Sequence, residues 1–526
     1  MSLSKGERFR VSSASHVKNI ENIGLEPALT PETENEILRQ RKEKLQRLRE
    51  EDGYDPYVVE KWDRKHTLTE VRSHYDHLQP DEVVNDAEIR VAGRLMTLRR
   101  QGKATFADLA DENERMQLYF QVNEIGEEAY NFLKKWVDSG DWVGVTGYPC
   151  RTKRGELTIM VKEYKLLCKA LRPLPEKWHG LTDTEVRYRQ RYTDLIANPD
   201  VREIFRKRAA IIASLRKTLE NHGTLEVETP TLSVLAGGAA AKPFKSFHNT
   251  LGLDLFLRIA PELYLKRLVV GMMGRVYEIG KNFRNEGVST MHNPEFTMLE
   301  TYWAYSDYED MMNLVEELVR NAAKTVGSLN IEWQGIELNL EKPFRRVSML
   351  DIVKEHSGVD FRTITSDEEA RRIASDKGLA DGLKGNESRF AVLNLMFEEL
   401  CEDKLTNPTF VIGHPTEISP LSKRDPENPD YTHRFELFIC GKEVANAFSE
   451  LNDPLDQRAR FEDQLKKKET GDDEAHDFDE DFINAIESGM PPTGGLGLGI
   501  DRLVMFLTNS RSIRDVILFP LMKPKS

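Results

Sequence analysis

The chain has 526 residues, too many for one hydrophobic core, and at roughly 150 residues per domain it should form three or four units. Hydrophobic residues make up 39% and charged residues 31%, which describes a soluble globular chain; no stretch approaches the roughly 18 apolar residues of a membrane span, and Met1 to Arg10 has no signal-peptide apolar run. A formal charge of −14 argues against indiscriminate coating of nucleic acid, and four cysteines, none two residues from another, predict a reduced cytoplasmic protein with no structural metal.

Residues 1–30 are polar without a sustained period and are expected to be a mobile arm. A helical extension is expected over 31–75, where Ile37, Leu38, Leu45 and Leu48 sit among dense Glu, Arg and Lys; a solvated helix and an RNA-binding one are both open. Over 76–172 short β-rich runs recur, at Ile89–Arg94, Met116–Phe120, Trp142–Val145 and Leu157–Val161, and imply a small barrel. A five-stranded OB-fold would place Phe106, Gln117 and basic residues such as Arg94, Arg99, Arg100, Lys103 and Arg151 on a nucleic-acid-binding face, though Phe106 fits a core equally well. Residues 173–186 read as a linker. The remainder, 187–526, is the larger unit: a helix from Val201 to His222 capped by Gly223, a strand ending at Pro230, and a helical insertion at about 345–431.

Three segments of this unit carry chemistry. Val276–Arg284 and Glu295–Tyr305 predict a long hairpin, in which Phe296, Met298, Glu300 and Tyr302 share one face. Arg284 and His292 bracket its loop, a pairing suited to polyphosphate beside an aromatic plane for a base; a buried hairpin with incidental charges is the plainer alternative. In the second segment a turn is expected at Gly441-Lys442, and beyond it Asn446, Phe448 and Glu450 alternate onto one face. Glu443 falls on the opposite parity unless it sits at the turn or a bulge. Carboxylates on adjacent strands, here Glu436 and Glu443, suit magnesium that also binds phosphate oxygens, and an ordinary edge strand with a wet face is as compatible with the pattern. The third segment, Gly494-Gly495-Leu496-Gly497-Leu498-Gly499-Ile500-Asp501-Arg502, precedes an apolar helical run and matches neither the P-loop nor the Rossmann pattern.

Together and in this order, the helix and strand ending at Pro230, the stretch Phe283-Arg284-Asn285-Glu286 through His292 to Glu300, and Gly495 to Arg502 resemble the three signature motifs of class II aminoacyl-tRNA synthetases. With the barrel in front, the resemblance is to the subclass holding the lysyl, aspartyl and asparaginyl enzymes. The stretches Gly237–Phe244, Arg258–Arg267 and Ala445–Asp453 look like its lysyl branch, over about Thr30 to Ser526. The chain departs from that pattern in two places: Lys242 stands where arginine is frequent, and Ser246-Phe247-His248 replaces the more usual Thr-His-His.

The resemblance implies an α+β protein: an N-terminal OB-fold barrel that binds the anticodon, then an antiparallel sheet flanked by helices, with a homodimer interface at the first motif. It implies an ATP-dependent ligase that adenylates L-lysine and transfers it to the 3′-hydroxyl of tRNA(Lys), with up to three Mg2+ per active site and no DNA or membrane partner. By resemblance Arg284, Asn285, Glu286, His292, Phe296, Glu436, Glu443 and Arg502 would bind ATP, with Arg284, His292 and Arg502 catalytic and Glu436 and Glu443 on the metal. Gly238, Glu262, Arg284, Glu300, Tyr302, Asn446, Phe448 and Glu450 would bind lysine, and Arg94, Phe106, Gln117 and Glu156 would read a U-rich anticodon. Carboxylates suit a substrate with two ammonium groups, whereas an aspartate pocket would want a cation. The rivals are a tRNA-independent lysine ligase, which should lack the barrel, a non-catalytic paralogue, which should have lost some of Arg284, Glu436, Glu443 or Arg502, and aspartyl or asparaginyl specificity.

Overall fold

The computed structural model describes residues 36–174, 181, 183–235, 237–239, 241–469 and 478–524; the expected arm over 1–30 and the middle of the linker lie outside them. The chain divides into two units, Met1–Thr182 with Lys523–Ser526, and Asp183–Met522.

In the first unit five strands close a barrel in the order β1-β2-β3-β5-β4: β1 (Ile89–Gln101), β2 (Ala104–Ala110), β3 (Arg115–Gln121), β4 (Trp142–Arg151) and β5 (Leu157–Cys168). Alternation makes the barrel, because Val91, Leu95, Leu109, Leu118, Phe120, Val143, Val145 and Ile159 all turn inward and are buried. Two elements have weaker signatures in the sequence. β2 reads Ala-Thr-Phe-Ala-Asp-Leu-Ala, poor in β-branched residues, and the helix Glu127–Trp136 fits between β3 and β4 by burying Tyr130, Leu133 and Trp136. The helix Glu36–Glu51 sets Leu38, Leu45 and Leu48 inward, and Arg41 donates to the carbonyls of Ser139 (2.9 Å) and Ala170 (2.8 Å), so it is tied to the barrel.

The second unit is built on an eight-stranded sheet in the order β14-β15-β16-β17-β18-β11-β10-β6. Its strands are β6 (Leu225–Glu226), β10 (Arg275–Phe283), β11 (Glu295–Ala304), β14 (Arg345–Ser348), β15 (Thr409–Ile412), β16 (Arg434–Ile439), β17 (Lys442–Ser449) and β18 (Thr493–Gly499); all neighbours are antiparallel except β6–β10 and β14–β15. A separate small sheet holds β7 (Leu232–Ser233), β8 (Lys245–His248) and β9 (Leu253–Leu257), and β12 (Asn330–Trp333) pairs with β13 (Ile336–Asn339). Helices Pro199–Asn221, Tyr308–Thr325 and Ile500–Leu507 cover one face of the large sheet, where Leu215, Leu318 and Phe506 meet Leu299, Trp303, Leu496 and Leu498. The stretch over 345–431 is not purely helical: beside helices Met349–Ser357, Asp367–Asp376 and Arg389–Leu400 it supplies β14 and β15 to the sheet edge. Four-residue strands are too short for a period of two to stand out in sequence.

Candidate active site

The face of the large sheet opposite helices Pro199–Asn221, Tyr308–Thr325 and Ile500–Leu507 is the floor of a cleft of about 560 Å³. Strand parity decides what lines it. On β11 Phe296, Met298, Glu300 and Tyr302 face the cleft while Leu299 and Trp303 enter the core, and on β18 Gly495, Gly497 and Gly499 face it. That gives the glycine run a steric reason. A Cβ on Gly495 would stand 1.8 Å from Glu450 Oε1 and 2.6 Å from the Tyr302 ring, and one on Gly497 3.1 Å from Met298 Cε. A bulge resolves the parity of Glu443: Leu437 pairs with Ala445 but Phe438 with Glu443, so Val444 is the extra residue and Glu443 returns to the face of Asn446 and Phe448. The turn itself lies one residue earlier than expected, at Cys440 and Gly441, both with positive φ (49° and 66°) as a tight hairpin requires.

One end of the cleft is acidic. Glu262, first residue of the helix Glu262–Val270, and Glu300 line it and are 7% and 4% exposed; Tyr302 donates to Glu300 Oε2 at 3.2 Å. Gly238, at φ 90°, brings its backbone against Ala260 and Glu262, where a Cβ would meet atoms at 3.3 and 3.4 Å. Glu450 is 1% exposed and stands behind the wall formed by Tyr302 and Gly495, with its backbone N–H on Thr493 O at 2.8 Å. Burial, and then the charge of Glu262, pushes the Glu300 carboxyl up to about 8. Burial likewise raises Glu262 and Glu450, and the ammonium of Lys266 pulls both the other way.

The other end is cationic. The Arg284 guanidinium lies 5.2 Å over the Phe296 ring, Arg502 donates from Nη2 to His292 Nε2 at 3.0 Å and from Nη1 to Glu443 O at 2.5 Å, and Ser289 holds His292 Nδ1 at 2.9 Å. Partial burial, then Arg502 and Arg284, lowers the His292 pKa, so the ring is neutral at pH 7 and accepts from Arg502. Asp501 anchors this end: its carboxylate accepts from Thr297 N and Arg208 Nη1, each at 2.6 Å, which fixes the start of the Arg502 helix to β11. Glu286 lines the cleft, and Asn285 lies in the exposed hairpin loop with its N–H on Lys242 O at 2.7 Å.

Glu436 and Glu443 share the cleft face of adjacent strands, with Glu443 Oε2 3.6 Å from Arg502 Nη1 at the cationic end. Arg434 donates to Glu436 Oε1 at 2.6 Å and to Asn446 Oδ1 at 3.1 Å. Burial in the cleft, then Glu436, raises the Glu443 carboxyl, although its side chain is still 41% exposed. Two hard carboxylates that repel one another fit a divalent cation. Among the described residues no three acidic, His or Cys side chains are grouped closely enough to hold a metal by themselves, so the remaining ligands would come from phosphate and water.

On the barrel, Phe106 stacks on Tyr119 with ring centroids 4.3 Å apart, and Arg99 stands opposite Phe106 on β1. Gln117 accepts from Thr158 at 3.0 Å, and Thr158 also bonds the Glu156 carbonyl at 3.2 Å, so Phe106, Gln117 and Glu156 belong to one surface. Arg94 lies midway along β1, at the far end of its ladder with β2, over the Trp142 ring at 4.8 Å and bonded to Gly140 O, apart from that group.

Three further residues of these sites carry a sequence signal of their own. Lys266 follows Glu262 by one helical turn, Arg434 shares strand parity with Glu436, and Tyr119 shares it with Gln117.

A family model described as tRNA synthetases class II (D, K and N) matches residues 183–523, and an OB-fold nucleic acid binding domain model matches residues 89–167. The chain is 53% identical over 492 residues to the lysine--tRNA ligase of Pelotomaculum thermopropionicum, covering 93% of this chain and 96% of that one. It is 54% identical over 497 residues to that of Clostridium acetobutylicum (93% and 94%), and 51% over 507 residues to that of Clostridium perfringens (96% and 99%). A barrel, a class II sheet and these relatives over nearly their whole lengths lead to one conclusion: the chain belongs to the class II aminoacyl-tRNA synthetases, in the lysine–tRNA ligase family.

Proposed function

We propose that the cleft holds L-lysine at its acidic end and ATP at its cationic end, forms lysyl-adenylate and pyrophosphate between them, and passes lysine to the 3′-hydroxyl of tRNA(Lys). The observation that carries this reading is the convergence of Glu262, Glu300 and Glu450 from separate segments onto one buried end, with Arg284, His292 and Arg502 gathered at the other. Glu262 and the Gly238 carbonyl take the α-ammonium, and Glu450 with Tyr302 the ε-ammonium, while Asn446, Phe448 and Glu300 complete the walls. Arg284 neutralises the lysine carboxylate and the α-phosphate. Phe296 receives the adenine, His292 and Arg502 the outer phosphates, and Asn285 and Glu286 close the loop side.

No protein nucleophile is needed. The lysine carboxylate oxygen attacks the α-phosphorus, the bond to the β-phosphate oxygen breaks, and pyrophosphate leaves with the electron pair. The terminal ribose hydroxyl of the tRNA then attacks the carbonyl carbon of the mixed anhydride, and AMP leaves. Held reactants and fixed cations supply the acceleration, through positioning and through stabilisation of charge on the transferring group. Magnesium held by Glu436 and Glu443 would add charge neutralisation on the phosphates.

Phe106, Gln117 and Glu156, with Arg94 further along β1, form the proposed anticodon surface. A homodimer is supported by Leu225 on the first-motif strand and by Leu232 and Val234 shortly after it in the chain, which are 49–59% exposed. A reducing, cytoplasmic setting is supported by the four free cysteines, and among the described residues no helix is long and apolar enough to cross a membrane. The test is ATP–pyrophosphate exchange: Glu262→Gln and Glu450→Gln should each raise the KM for lysine by about tenfold or more, as for losing one charged hydrogen bond, with the KM for ATP little changed. Equal losses for both substrates would refute the assignment.

A further inference from the structure

The side chain of Lys266 does not line the cleft but lies behind its acidic end, between Glu262 and Glu450. Its Nζ is 2.6 Å from Glu262 Oε1 and in contact with Glu450 Oε2, its side chain is 0% exposed, and it lies 5.4 Å and 5.9 Å from the Phe448 and Phe482 ring centres. The surrounding wall is apolar, with Leu263, Leu265, Val269, Phe461 and Phe482 packed together. An ammonium in such a place is costly unless paired, and the two carboxylates it pairs are those given to the two ends of the substrate.

We infer that Lys266 is a positioning residue for lysine specificity: an internal ammonium that joins Glu262 to Glu450, fixes the spacing of the α- and ε-amine sites, and supplies their counter-charge. This rests on the assignment of Glu262 and Glu450 to lysine made above. The geometry explains how these two buried carboxylates tolerate one another: Glu262 and Lys266 are one helical turn apart on a single helix, and the same ammonium reaches the residue just beyond β17. It also explains how the pocket resists a shorter or uncharged side chain, because a bridged Glu450 cannot follow a substrate that fails to reach it. The other ionisable groups bearing on these carboxylates are Glu300 and Tyr302 on β11, Arg434 on β16 and, through Glu300, Arg258 and Arg284. Without Lys266 the balance is more negative, so both carboxylates hold their protons to higher pH.

The experiment measures ATP–pyrophosphate exchange on full-length Lys266→Met, Lys266→Ala and Glu450→Gln. Lys266→Met should raise the KM for lysine about 100-fold or more, the factor for removing one partner of a buried ion pair, and leave the KM for ATP within about threefold. The acid limb of kcat/KM for lysine should move up by about one to three pH units, and propylammonium, but not propanol, should restore part of the activity of Lys266→Ala. Equal changes in both KM values with an unmoved acid limb overturn the inference. If Glu450→Gln impairs lysine but Lys266→Met does not, the inference fails and the substrate assignment stands; if Glu450→Gln leaves lysine unaffected, the assignment itself fails. A crystal structure of the unaltered enzyme with lysine gives a reading free of folding effects: Lys266 held between Glu262 and Glu450 supports the inference, and Lys266 swung away from both overturns it.

Discussion

Gly495→Ala adds a single methyl group at the point where the account is most exposed. The new Cβ would lie 1.8 Å from Glu450 Oε1 and 2.6 and 2.8 Å from two carbons of the Tyr302 ring, so one of these groups must retreat by at least about 1 Å. Neither has room. Tyr302 is 3% exposed, and Glu450 is held by its backbone bond to Thr493 and by Lys266. Overpacking of this kind costs about 1–3 kcal/mol, and if the strain falls on the ε-amine site the KM for lysine should rise about 5- to 150-fold. ATP is assigned to the other end of the cleft, so its KM should stay within about threefold. Pyrophosphate exchange at varied lysine and varied ATP measures both. An unchanged lysine KM, or parallel losses for both substrates, would refute the reasoning that the glycine is there to make room for Glu450.

The pH dependence follows from Glu300, whose carboxyl is pushed up to about 8 and is therefore protonated at neutral pH before an ammonium arrives. Lysine binding favours the ionised form, so its affinity should climb between pH 6 and 8 with proton release, and Glu300→Gln should flatten the slope; calorimetry in buffers of different ionisation heat reads both, and a slope retained in the variant contradicts the assignment. Arg502→Ala should raise the KM for ATP and spare that for lysine, because Arg502 bonds His292 and Glu443 at the cationic end; initial rates at varied ATP are the check, and a lysine-selective defect would count against it. Glu443→Gln should raise the magnesium concentration needed for half-maximal exchange, as measured by titration after chelation, and an unshifted requirement would remove Glu443 from the metal site. On the barrel, Phe106→Ala should lower kcat/KM for tRNA by about 5- to 150-fold, the worth of one base stack, without changing pyrophosphate exchange; equal aminoacylation by variant and parent would free Phe106 from that role.

What was legible in the sequence was whatever repeats with a strand's period or sits in a fixed motif. Phe296, Glu300 and Tyr302 could be placed on one face from parity alone, and the cleft uses them together. Long-range partners left no such trace. Lys266 reads as one more charge in a helical segment, and only the fold brings Glu450, 184 residues later, against it. β2 was hidden by its alanines and aspartate, because its stability comes from pairing with β1 and β3 rather than from intrinsic strand preference. The bulge at Val444 is readable from sequence only as a condition, since a two-residue repeat cannot say where an extra residue enters. Arg94 shows the opposite limit: its strand was predicted, but whether it joins Phe106 depends on the register between β1 and β2.

In the proposed assignment, buried carboxylates select a substrate carrying two ammonium groups. ATP–pyrophosphate exchange with each of the twenty amino acids in turn, on the unaltered enzyme, tests it most directly. Lysine alone should drive exchange at low concentration; exchange driven as well by aspartate or asparagine would contradict the account.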